Sequence, residues 1–119
     1  MVRGGDTMTK LLALILSGPD EKMKVISGLR VAQRIKEMGG EARVVFLADG
    51  VRVPLEGAND PDFSAALESV KDLESTVCKG ILEQMGVQIE PLELKGFNVD
   101  YVGPILARAA EEGFQIVSF

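Results

Sequence analysis

Cys78 is the single cysteine of the chain, and there is no histidine among the 119 residues. The usual general base, the usual triad partner and the commonest metal ligand are therefore missing, which removes much of catalytic chemistry. A lone thiol can still act as a nucleophile. It does so as the thiolate, which the positive end of a helix and a neighbouring cation both favour. Lys79 follows Cys78 directly, so a helix starting at this point would supply both. A cysteine in the middle of a helix would instead be a small buried hydrophobe. No C-x-x-C pattern accompanies Cys78, which excludes a dithiol redox motif and leaves a single-thiol carrier or a structural residue.

The remaining candidates are weaker. Ser17-Gly-Pro-Asp-Glu-Lys22 lies at a strand-to-helix turn of the kind that holds phosphate, but it is neither G-x-G-x-x-G nor a P-loop, and two acidic residues there repel phosphate. It reads as a helix cap. Asp49-Gly50 closes a strand in the manner of a phospho-acceptor aspartate, yet no second acidic residue pairs with it, and Asp-Gly is a common turn. Met23, Met38 and Met85 fall on helical segments and read as packing residues. No metal or organic cofactor is called for.

Whether Cys78 meets a helix start depends on the elements around it. Leu11–Leu16 is a continuous apolar run of the kind found in a strand covered on both faces, and a helical stripe of Val25, Gly28, Leu29, Ala32 and Ile35 follows until Gly39-Gly40. Residues 43–48 form a second buried strand, completing a βαβ unit. Residues 49–59 read as a surface loop. Asp60-Pro61 should open a helix with aspartate as its N-cap, burying Phe63, Ala66, Leu67 and Val70. Beyond it two readings compete. The stripe can run on through Leu73, Val77, Ile81 and Met85 as one long helix, or a short strand at residues 75–77 can precede a new helix at Cys78; Gly86 ends the helix in both.

Val87-Gln-Ile-Glu90 alternates like a short strand closed by Pro91, and Gly96 to Gly103 reads as a connection. Pro104 opens or lies in the first turn of a helix with Val102, Ile105, Leu106 and Ala109 on its core face, stopped by Gly113, before a final strand at residues 114–119. The alternation predicts an α/β fold, a three-layer α/β/α sandwich on a mostly parallel, flavodoxin-like or Rossmann-like open sheet. Residues 1–9 read as a flexible N-terminal tail and 10–119 as a single domain.

Composition agrees with one globular unit: hydrophobic residues make up 46% and charged residues 26%. Thirteen Lys and Arg against 18 Asp and Glu give a net charge of −5 with no basic stripe, so nucleic acid is not an expected partner. The longest apolar run has six residues, against the roughly 20 that span a bilayer, so no membrane association is expected. Met1 to Ser17 does not read as a signal peptide, and a lone thiol suits a reducing compartment, so the expected location is cytoplasmic.

Taken in order, the strand Lys10 to Leu16, the strand end Phe46-Leu-Ala-Asp-Gly-Val51, the turn Val77-Cys-Lys-Gly80 with Met85-Gly-Val87 beyond it, and the closing Glu112-Gly-Phe-Gln-Ile-Val117 resemble the DsrE/DsrF-like family. The resemblance covers nearly all of the chain from Lys10 on, through short motifs whose order and spacing carry it. It implies a three-layer α/β domain that assembles into homo-oligomers, trimers or hexamers. It also implies a sulfur-relay carrier of the DsrE or TusD kind, in which the cysteine matched by Cys78 holds a persulfide and passes sulfane sulfur between donor and acceptor proteins. Lys79 and Gly80 would bind the anionic persulfide through their backbone N–H groups, with Gly80 permitting close approach. The chain departs from the family in the weak strand Leu73-Glu-Ser-Thr-Val77, and Asp49 and Gly50 carry over no catalytic role. The alternative is a non-catalytic homo-oligomeric binding or assembly module whose cysteine is structural.

Overall fold

The computed structural model describes residues 9–119, and the expected tail falls on residues 1–8, outside them, except for Thr9, whose carbonyl accepts a 2.9 Å hydrogen bond from the Glu41 N–H. Continuous apolar runs make the inner strands. β1 (Lys10–Ile15) and β2 (Glu41–Phe46) bury Leu12, Ile15, Val44, Val45 and Phe46 almost completely. Each such side chain contributes about 1.5–3 kcal/mol when withdrawn from water. Between them runs α1 (Lys22–Glu37), burying Val25, Gly28, Leu29 and Ala32 as the 3.6-residue spacing requires.

Among the described residues, five strands form one sheet in the order β4-β3-β2-β1-β5, with every neighbouring pair parallel. The expected mostly parallel sheet is thus wholly parallel. β3 (Glu74–Cys78), β4 (Asn98–Asp100) and β5 (Gln115–Ser118) complete it. In register, Leu12 and Leu14 stand beside Arg43 and Val45, and these beside Glu74 and Thr76, so one sheet face carries these residues together with Cys78. The opposite face is packed by α1 and by α3 (Pro61–Ser69), whereas α6 (Val102–Glu111) lies over the Cys78 face. The result is the three-layer α/β/α arrangement expected from the alternation of elements.

α3 starts as its sequence dictates. Asp60 accepts hydrogen bonds from the N–H groups of Asp62 and Phe63, Pro61 occupies the first helical position, and Lys22 pairs with the Asp60 carboxylate at 2.8 Å. The long-helix alternative for the following residues fails. α3 ends at Ser69 and residues 74–78 form a strand, of which 74–77 pair with β2, after which α4 (Lys79–Met85) begins and is closed by Gly86 at φ 69°. Three expectations are corrected. Residues 49–59 are not a surface loop: a 3₁₀ turn (Ala48–Val51), α2 (Arg52–Glu56) and a second turn (Gly57–Asn59) bury Val51, Val53 and Pro54. Residues 87–90 form no strand, because Pro91 sits in the first turn of α5 (Glu90–Leu94), where its missing N–H is harmless. The connection expected from Gly96 to Gly103 instead contains β4.

Candidate functional site

β3 and β4 end side by side, and this brings the candidate residues together. Cys78 is the last residue of β3, stands in register with Asp100 of β4, and is also the N-cap of α4. Its extended backbone (φ −64°, ψ 112°) turns straight into the helix. The helix-start reading of Cys78 therefore holds, at the carboxyl edge of a parallel sheet, where α/β folds place their sites. The thiol is nonetheless only 7% exposed and makes no capping hydrogen bond to the first turn of α4.

Gly80 lies beside the sulfur. A Cβ built at this position would be 3.9 Å from both Cys78 Sγ and Tyr101 Cδ1, in ordinary contact with each. Gly80 is thus the residue that keeps side-chain bulk off the thiol. Lys79 stands at the first position of α4. Its ammonium lies 5.4 Å from the centroid of the Tyr101 ring, a cation–π arrangement.

Tyr101 and Glu83 were not evident from the sequence. Tyr101 directly follows β4, and its hydroxyl donates to the Glu83 carboxylate of α4, 3.0 and 3.1 Å from its two oxygens. That carboxylate holds the phenol above its ordinary pKa, so the group stays a protonated donor. Asp100 Oδ1 accepts from the Tyr101 N–H at 2.7 Å. Tyr101 thereby ties α4 to the end of β4 across the residues next to Cys78. The only available signal was an aromatic residue just ahead of a helix, and it has meaning only once β4 is placed.

On the neighbouring strand ends, the turn of residues 48–51 packs against both β3 and α4. Ala48 has φ 55°, a left-handed conformation that costs an L-residue about 1–2 kcal/mol. Asp49 is paired with Arg52 at 3.2 Å, which fits its reading as a turn residue. Glu21 pairs with Lys24 at 3.1 Å in the first strand-to-helix turn. What the arrangement offers chemically is one recessed thiol at a helix start, with a glycine beside it and the pinned Tyr101 ring next to that glycine.

No protein-family model and no curated protein matches the chain. Solved structures share its fold, among them the following two. BT1422 of Bacteroides thetaiotaomicron, a conserved protein of unknown function, is 23% identical, with 91% of this chain and 94% of that chain covered and a TM-score of 0.65. The YchN protein of E. coli is 18% identical, with 94% of this chain and 100% of that chain covered and a TM-score of 0.71. At these identities the likeness shows a shared three-layer α/β fold. Among the described residues no helix is long and apolar enough to cross a membrane.

Proposed function

We propose that this α/β fold serves as a sulfur carrier of the DsrE/DsrF-like family, holding a persulfide on Cys78. The observation that supports the reading best is the placement of the chain's single thiol at the carboxyl edge of the sheet, at a helix start, recessed beside a glycine. The Cys78 thiolate attacks the outer sulfur of a donor persulfide, R–S–SH. The donor S–S bond breaks, R–S⁻ leaves and takes up a proton, and Cys78–S–SH remains. An acceptor thiolate then attacks the same outer sulfur and releases Cys78 as thiolate. Sulfane sulfur moves without an external oxidant. The backbone N–H groups of Lys79 and Gly80, free of intrahelical partners in the first turn, favour the anionic persulfide.

Access to the thiol tests this role. Gly80→Ala should fold normally, because its Cβ makes only ordinary contacts, and should strengthen α4 by about 0.5–1 kcal/mol. Gly80→Leu should cover the sulfur and slow alkylation of folded protein about tenfold or more. Equal alkylation rates in wild type and Gly80→Leu, with both thiols silent until unfolding, would instead support the structural cysteine of an assembly module.

The carrier acts as a homo-oligomer, a trimer or hexamer, in the cytoplasm. Support comes from the Cys78 face of the sheet, where among the described residues a single ten-residue helix covers five strands and Leu16 and Ile116 are left 37% and 40% exposed. β5 at the sheet edge is exposed along its whole length. Light scattering should give three or six times the chain mass, and a monomeric mass would refute the assembly.

A further inference from the structure

A second site lies on the opposite face of the sheet from Cys78. Between α2, α3, β3 and the turn that follows α5 is a half-open cavity of about 300 Å³, within the size range of small-molecule sites. Its apolar wall includes Leu67, Leu73 and Phe97. In this wall stands Ser75, 7% exposed, whose hydroxyl has no hydrogen-bond partner. A buried hydroxyl left unpaired forfeits its hydration without recompense, and folded proteins rarely leave one so. Two ammonium groups flank the same cavity from different elements: Lys71, beyond the end of α3, and Lys95, beyond the end of α5. Glu68 also lines the cavity and neutralises Lys71, whereas Lys95 has no ion pair among the described residues and is the cation left for an anionic ligand.

We infer that this cavity binds a small organic acid with an apolar side chain and a second oxygen near its carboxylate, of the 2-oxo acid class. Lys95 takes the carboxylate, the apolar wall takes the side chain, and the Ser75 hydroxyl donates to the remaining oxygen. This site is independent of sulfur transfer at Cys78 and needs no chemistry there.

The test is an amide NMR titration of the full chain with 4-methyl-2-oxopentanoate, alongside 4-methylpentanoate, which lacks the oxo group, and 4-methyl-2-pentanone, which lacks the carboxylate. Saturable shifts should centre on residues 71–75 and 95–97, in the order oxo acid, then simple acid, with the ketone silent. Lys95→Gln should weaken the oxo acid about tenfold, the loss expected for one charge-assisted hydrogen bond. Ser75→Ala, which removes an unpaired hydroxyl and should fold at least as well, should bring the oxo acid down to the affinity of the simple acid. The inference is overturned by an absence of saturable shifts at these amides up to about 10 mM acid. Ketone binding as tight as the acid, or unchanged affinity in Lys95→Gln, overturns it equally.

Discussion

Gly50→Ala should destabilise the protein by about 3 kcal/mol and lower its melting temperature by roughly 10 °C. A Cβ at Gly50 would lie 2.0 Å from the carbonyl oxygen of Ile15 and 2.7 Å from its carbonyl carbon. Both are backbone atoms of β1, an inner strand of the sheet, so no side chain can swing aside. The same oxygen accepts the Leu47 N–H at 3.0 Å, a bond that joins the ends of β1 and β2. Moving the carbonyl to admit a methyl group strains or breaks that bond, adding about 0.5–1.5 kcal/mol to the overpacking cost. The 48–51 turn, already held with Ala48 in a left-handed conformation, would shift as well, and it packs against α4 at the Cys78 site. Gly103→Ala is the internal control. Nothing lies within 4 Å of a Cβ there and the residue is helical, so alanine should leave stability unchanged or raise it by up to about 1 kcal/mol. Thermal unfolding of the two variants side by side measures the difference. A Gly50→Ala protein as stable as wild type would mean that β1 and the 48–51 turn are not locked together.

Much of this architecture is legible in the chain because its inner elements carry strong patterns. β1 and β2 are unbroken apolar runs, α1 has a continuous stripe, and α3 has both a capping aspartate and a proline at its start. What escapes the sequence is short, polar or marked by proline. β4 is three residues long, with asparagine and aspartate exposed at its ends, because an edge strand is half solvated and needs no apolar run. α2 contains Pro54 within five residues, and α5 places Pro91 at its start, so both look like breaks although proline in a first turn is compatible with a helix. β3 carries Ser75 and Thr76 where aliphatic residues would have announced a buried strand, and its periodicity alone fits a helix equally well. The same holds for the candidate site. Cys78, Lys79 and Gly80 are visible as a local cluster, but the wall beside them comes from Tyr101, more than 20 residues along the chain and reached through the strand that the pattern hides.

Cys78→Ala should abolish persulfide carriage entirely while leaving the fold intact. The thiol is 7% exposed, so alanine removes one sulfur from a small site and keeps its apolar character. Serine at this position is the less clean test, because its hydroxyl would be buried in a place where the thiol makes no capping hydrogen bond. The chain has no second thiol to take over the sulfur, so loss should be complete rather than partial. No histidine is present to activate a nucleophile elsewhere, so a residual reaction by another side chain is not expected.

The most direct measurement is the intact mass of folded protein after incubation with a persulfide donor, repeated after treatment with a reductant. The expected result is a gain of one sulfur atom on the wild-type chain, reversed by the reductant, transferable to an added acceptor thiol and absent from Cys78→Ala. An unchanged mass on the folded wild-type protein, with a thiol that reacts only after unfolding, would contradict the carrier role and return Cys78 to the core of an oligomeric module.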